Sequence, residues 1–568
     1  MRPYEAFVER FHAHFTRNPN RRVVLGVERD LGALPDPSSR EIDLRLSEAR
    51  EQTSELASLP RDGLSFDERL DLDLARLMLD AEVHHDSYRF NDRTRLVQMP
   101  SAGDDIGDGV FMLFINDPRP AAERLRDITA RLEQVPDYVE ALLDRLDTPL
   151  ERWVEMDVEK VEGLTQLFST AEDWAEEEGF PDAPRLVSAR QRAESALQSY
   201  LERLKQLPTT RKLHVGDAIA REIVRMRGID KSLEELHGIA KDFLAETYET
   251  LETLRVRLAK RYGQPADISI EALESYLNKR FAVELDGGRL ASVLDRYQRE
   301  RETILAFIHE RSLFPVLADQ DIRILQTPRF LEPSIPAGAM VSPAPFRGGT
   351  KRSLVYLTLS EELLDEHTEL SIPSMMIHEG IPGHHLQLAT AATHPSVVRR
   401  HFDAMDHAEG WTTMLEDYML DIGYMGELTD EARFIGKRDI ARIGARVAID
   451  LFFMTGERGY LEVGIDCDTT PEDPFEAAGN LLTAVTGFVP GRVRAELNWY
   501  SQERGYPLSY LTGNRMVGEL KRDLARAQSG KLEGLDLDRR FHALYIGSGN
   551  MPLPFLRRVF EHQRLLEP

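Results

Sequence analysis

Eight consecutive residues, His378-Glu379-Gly380-Ile381-Pro382-Gly383-His384-His385, bring three imidazoles and one carboxylate together. Imidazoles beside a glutamate are the materials of a catalytic zinc site, where histidines hold the ion and the carboxylate moves a proton. In the simplest such pattern two histidines sit four residues apart on one helix face. Here the residue four after His378 is Pro382. On a straight helix His384 lies roughly 600° around the axis from His378, while His385 returns to the same face about 10.5 Å further along. Pro382 cannot donate to the carbonyl of residue 378, and Gly383 opens backbone angles that other residues avoid. The sequence therefore predicts a local break that brings either His384 or His385 up to His378.

A second stretch supplies the partner. Ala408-Glu409-Gly410-Trp411-Thr412-Thr413-Met414-Leu415-Glu416 reads as a helix with Met405, Ala408, Trp411, Leu415 and Met419 turned inward. Glu409 follows His384 by 25 residues, room for a turn and a second antiparallel helix. A carboxylate from a neighbouring helix completes a two-histidine, one-glutamate zinc site and leaves a fourth position open. Glu416, two turns further on the same face, is placed to accept a ring N–H from a ligand histidine and so orient it. The plain alternatives are a buried histidine turn that only hydrogen-bonds and two solvated glutamates. The setting of Glu409, between Ala408 and Gly410-Trp411, suits a solvated charge poorly.

With both stretches in view the chain resembles a bacterial family known only as domain of unknown function 885, whose signature HExxPGHH is followed by EGWxxxxE and which is placed among the zincin peptidases. EGWTTMLE (409–416) is similar to the third-ligand segment of the thimet oligopeptidase family. Gly505-Tyr-Pro-Leu-Ser-Tyr-Leu-Thr-Gly-Asn514 resembles the GYxPSYxLGN segment of the carboxypeptidase Taq family. The resemblance implies a large, mainly α, two-lobed zincin-like (gluzincin) fold with a deep cleft and one zinc per chain. It implies His378, His384 and Glu409 as ligands, Glu379 as general base, Tyr510 as the donor to an oxyanion, and Tyr506 as a substrate contact. It also favours His384 over His385 as the second ligand, because Gly383-His384 and the step to Glu409 look like those of the related families. His385 then stands as an alternative ligand or as a residue that reaches the cleft or substrate. The expected activity is a zinc metallopeptidase on a peptide or small amide; the alternatives are a zincin-like scaffold without hydrolysis, and a zinc hydrolase of other amides or esters.

The elements that must position these residues are mostly helical. Segments 66–87, 119–147, 184–207, 231–262 and 288–312 carry apolar residues at three- and four-residue spacing with charges opposite. Between about 313 and 360 the pattern shortens. Ile322–Thr327, Gly338–Ser342 and Ser353–Leu359 lean to β and predict a small antiparallel sheet just before the metal helix. Such a sheet would either offer an edge to an extended substrate or form a wall. At 568 residues two lobes are expected, 1–315 helical and 316–568 catalytic. The 71 basic and 97 acidic side chains leave a net charge of −26, which argues against nucleic acid and anionic membranes as partners. The single cysteine, Cys467, rules out an intrachain disulfide and lies in an acidic turn without a histidine nearby. No apolar signal core opens the chain and no window of eighteen uncharged apolar residues occurs, so a cytoplasmic location is expected. Arg492, Arg494, Arg504 and Arg515 flank the tyrosine segment, and one of them is a candidate to clamp a substrate carboxylate.

Overall fold

The computed structural model describes residues 2–90, 94–95, 99–327, 338–360, 364 and 366–567. Amphipathic periodicity is realised as helix: Phe66–Ser87, Ala121–Arg145, Ala183–Leu204, Leu233–Arg261 and Ala291–Arg311 fall within a few residues of the expected segments. The chain divides into two compact units. The first contains Met1–Val215 together with Ala344–Gly348 and Ser396–His401; the second contains Gly216–Pro343, Gly349–Pro395 and Phe402–Pro568. The main division therefore falls near residue 215 rather than the expected 315. The cause is visible in the helix Leu233–Arg261, which packs on Arg442–Thr455 and Thr429–Ile440 and so belongs with the C-terminal half. A Cβ added at Gly444 would come within 2.7 Å of Leu244 Cγ, a measure of how closely these helices approach.

The first unit is a helical body. Helices start on side-chain caps such as Ser38 and Ser65, the latter paired reciprocally with Glu68. Its core joins Ile106, Leu132, Phe168, Ala171, Leu186 and Tyr200. Asp157, buried in that core, accepts from Tyr200 Oη at 2.6 Å and from Gly103 N at 2.8 Å, which offsets the cost of enclosing a carboxyl group.

The second unit holds a three-stranded sheet of β1 (Gln320–Gln326), β2 (Gly338–Val341) and β3 (Lys351–Leu357), in the order β1-β3-β2. β2 pairs with β3 antiparallel, Gly338 opposite Leu357, as expected. β1 pairs with β3 in parallel, Gln320 opposite Lys351, so the sheet is mixed and not antiparallel throughout. The reason is strand order. β3 turns back along β2 and settles in the middle, which makes it run with β1.

Six helices carry the site: α1 (Ser371–Glu379), α2 (His384–Ala391), α3 (Met405–Asp421), α4 (Arg442–Thr455), α5 (Pro490–Gln502) and α6 (Ser509–Ala527). α2 lies on β3, α1 and α2 both pack on α3, and α3 packs most extensively on α6. That last contact depends on two glycines. A Cβ at Gly410 would be 2.6 Å from the Gly513 carbonyl carbon, and one at Gly513 would collide with the Asp406 carbonyl oxygen. The helices cross backbone to backbone there, with Glu409 next to one glycine and Tyr510 one turn before the other.

Candidate metal centre

The expected break replaces a continuous helix. α1 stops at Glu379, Gly380 to Gly383 run outside helical angles through a cis Ile381–Pro382 peptide, and α2 starts at His384. Gly383 fits where no other residue would, since a Cβ on it would strike the carbonyl oxygens of Ile377 and His378. The break is fastened by Trp411 of the EGW segment, whose indole Nε1 donates to Pro382 O at 2.9 Å in the buried interior. Trp411 is itself held against Tyr545, with ring centroids 4.8 Å apart and nearly parallel.

The consequence is that His378 and His384 meet, with ring centroids 4.9 Å apart. His378 Nε2 and His384 Nε2 lie 3.6 and 3.3 Å from Glu409 Oε2. The three residues offer ligand atoms all within 4.8 Å of one another, the only such group among the described residues. Two ligands about 2.1 Å from one tetrahedral ion lie roughly 3.4 Å apart, so these separations suit zinc. Glu409 Oε2 is buried and makes no hydrogen bond, an arrangement costly for a carboxylate unless a cation shares it. His378 Nδ1 donates to Glu416 Oε1 at 2.7 Å, which orients the ring so that Nε2 points toward Glu409. His384 Nδ1 is buried without a hydrogen bond.

The electrostatics match. Burial disfavours the charged imidazole at His378, yet Glu409, Glu416 and Glu379 hold its pKa well above the usual value. Burial alone would raise the Glu409 carboxyl, and the two histidines hold it below the ordinary carboxylate range. Glu379, half-buried at the end of α1, acts on His378 electrostatically. Tyr510 and Tyr506 feel the Glu409 charge, and burial together with that charge pushes both phenols up.

His385 departs from the alternatives open to it. It is fully buried, with Nδ1 2.7 Å from Ser353 Oγ and Nε2 2.6 Å from Gln320 Oε1, so both ring nitrogens are taken by the sheet. It does not join the group formed by His378, His384 and Glu409. The physical reason is the roughly 100° between successive helix residues: once α2 begins at His384, His385 must turn away toward β3.

Two positioning groups escaped the sequence reading. Asp450 of α4 accepts from Gly505 N at 3.1 Å and Leu508 N at 3.2 Å, holding the turn that presents Tyr506 and Tyr510. Arg446, one turn earlier, puts its guanidinium carbon 4.5 Å from the Tyr510 ring centroid. The signal was there: Arg and Asp four apart in Ala445-Arg-Val-Ala-Ile-Asp-Leu-Phe-Phe453 are charges on a helix apolar on all sides, which must be partnered inside. His542, whose role the sequence left unassigned, donates Nδ1 to Leu313 O at 3.0 Å and stacks on Phe314.

No helix among the described residues is long and apolar enough to cross a membrane. No curated protein matches the chain. Two solved structures described as putative lipoproteins share its fold. The one from Colwellia psychrerythraea has a TM-score of 0.79 at 14% identity over 99% of both chains. The one from Shewanella oneidensis, described as of unknown function, has 0.75 at 18% identity over 98% of both. A family model for a bacterial protein of unknown function, DUF885, matches residues 19–560.

Proposed function

Since the chain belongs to the bacterial DUF885 family, whose function is unknown, its chemistry has to be read from its own residues, and we propose that it is a zinc-dependent hydrolase that cleaves peptide bonds on a zincin-like (gluzincin) scaffold. The observation that supports this most is the convergence of His378 Nε2, His384 Nε2 and Glu409 Oε2, with the glutamate oxygen buried and unbonded. These three residues would hold one zinc per chain. Zinc there supplies Lewis acidity, polarising a carbonyl oxygen and making water more acidic.

The remaining work belongs to side chains. Glu416 keeps the His378 ring in the tautomer that presents Nε2. Glu379 accepts a proton from water as its oxygen bonds to the carbonyl carbon, then delivers that proton to the amine nitrogen as the carbon–nitrogen bond breaks. Tyr510 donates its phenol hydrogen to the oxygen that gains negative charge. Tyr506, with its ring centroid 5.9 Å from that of Tyr510, contacts the substrate on the same side.

The test is Glu379→Gln on a panel of peptides with free and blocked termini. Loss of a general base costs on the order of 10²–10⁴ in rate, so kcat collapses while zinc content is unchanged. A variant that keeps most of the wild-type rate removes Glu379 from the mechanism. One zinc per chain with no hydrolysis of any peptide, amide or ester favours the non-hydrolytic scaffold; turnover confined to non-peptide esters or amides favours the other hydrolase. A cytoplasmic location is part of the proposal, and cell fractionation decides it.

A further inference from the structure

Arg446 lies buried in α4, one turn before the aspartate that holds the tyrosine turn. Its Nε donates to Tyr500 Oη at 2.9 Å and its Nη2 to Glu496 Oε2 at 2.9 Å, both from α5. These bonds and the ion pair to Glu496 satisfy the charge. They do not by themselves require what the guanidinium does next, which is to lie against the Tyr510 ring at 4.5 Å and the Trp499 ring at 5.1 Å. Trp499 meets Tyr510 edge-on at 6.4 Å and Tyr506 at 5.0 Å, so the guanidinium and the indole both pack beside the phenol. Tyr510 stands one turn before Gly513, where α6 touches α3 beside Glu409.

We propose that Arg446 is a positioning residue that fixes the Tyr510 phenol toward the metal triad. This rests on the reading of Tyr510 as the donor to the developing oxyanion. A planar cation clamped on one side by a carboxylate and a phenol cannot rotate freely. The ring that it faces is therefore held in one orientation. A cation at a ring face also draws on its π electrons and makes the hydroxyl a better donor. The oxyanion donor is useful only where it is preorganised, and a misplacement of about 1 Å can cost on the order of 10² in rate. The clamp thus runs from Glu496 through Arg446 to Tyr510, and every member other than the tyrosine acts without touching substrate.

Removing Arg446 alone strands Glu496, so the test uses the full chain with Arg446→Met combined with Glu496→Gln, which deletes both charges, and Arg446→Lys as the conservative variant. The first readout needs no activity: nitration by tetranitromethane on the zinc-free protein, mapped by peptide mass and normalised to Tyr460. The proposal expects the rate at Tyr510 to change by about threefold or more in the double variant, as for a phenol released from an adjacent cation. An unchanged rate overturns it. The second readout is the zinc-loaded enzyme on a peptide that the wild type cleaves. Here kcat should fall roughly 10- to 100-fold with KM within about threefold, Arg446→Lys should recover part of it, and the loss should shrink to under about twofold in a Tyr510→Phe background. An equal loss in both backgrounds overturns the proposal. If the wild type cleaves nothing, the hydrolase reading fails, and nitration still decides whether Arg446 holds Tyr510.

Discussion

The two nitrogens of His378 face different carboxylates, Nδ1 against Glu416 and Nε2 toward Glu409, and in the proposed site this separates a residue that orients from a residue that binds. Glu409→Ala removes an oxygen that both histidines face, so zinc should be lost outright. Glu416→Ala removes only the partner that sets the ring, so affinity should weaken about 10- to 100-fold with one zinc still bound at saturation. Zinc titration of the two purified variants checks this, and the reverse pattern would exchange their roles. Most of this constellation was legible in residue types and spacing, because imidazoles and carboxylates have few reasons to cluster on apolar helices. The choice between His384 and His385 was not, because it depends on the residue at which the helix resumes. The burial of Arg446 and Asp450 could have been inferred from the apolar run around them, although their partners on α5 and in the tyrosine turn could not.

At the scale of elements, the proposed metal site depends on a four-residue break that Trp411 ties to the neighbouring helix. Trp411→Phe keeps the packing against Tyr545 and removes its hydrogen bond to Pro382 O. A buried carbonyl left unpaired costs about 1–3 kcal/mol. Urea unfolding should register that loss, and zinc affinity should fall with it because His378 and His384 flank the break. Unchanged stability would mean that Pro382 O finds another donor. Helix positions followed from periodicity within a few residues, and all three strands were recognisable from their β-branched, Pro- and Gly-bounded runs. Their order was not, since pairing between β1 and β3 links residues far apart in sequence, and alternation within one strand says nothing about its neighbour's direction. The placing of residues 216–315 with the C-terminal half was hidden for the same reason: the apolar face of Leu233–Arg261 shows that it packs, not on what.

At the scale of the whole molecule, each compact unit buries a histidine as the neutral base. Burial, with Arg21, His12 and Arg400, pushes His401 down to about 2; burial, with Lys521, pushes His542 down to about 3. Unfolded imidazoles titrate near pH ~6.5. Below that pH these two imidazoles bind more protons in the unfolded chain than in the folded one, so this stability is present above about pH 6.5 and drains away as pH falls toward the folded values. Denaturant unfolding of the zinc-free chain should show it, with a shallower pH dependence in His542→Phe; an identical slope would mean that His542 is not held neutral. Zinc adds to stability by mass action, about 4 kcal/mol at 1,000 times its Kd. The measurement that reaches the central claim most directly is therefore zinc content of the intact chain, wild type beside His384→Ala and His385→Ala. The account predicts one zinc in the wild type, loss of it in His384→Ala, and retention in His385→Ala despite a less stable fold. Zinc kept by His384→Ala and lost from His385→Ala would contradict it.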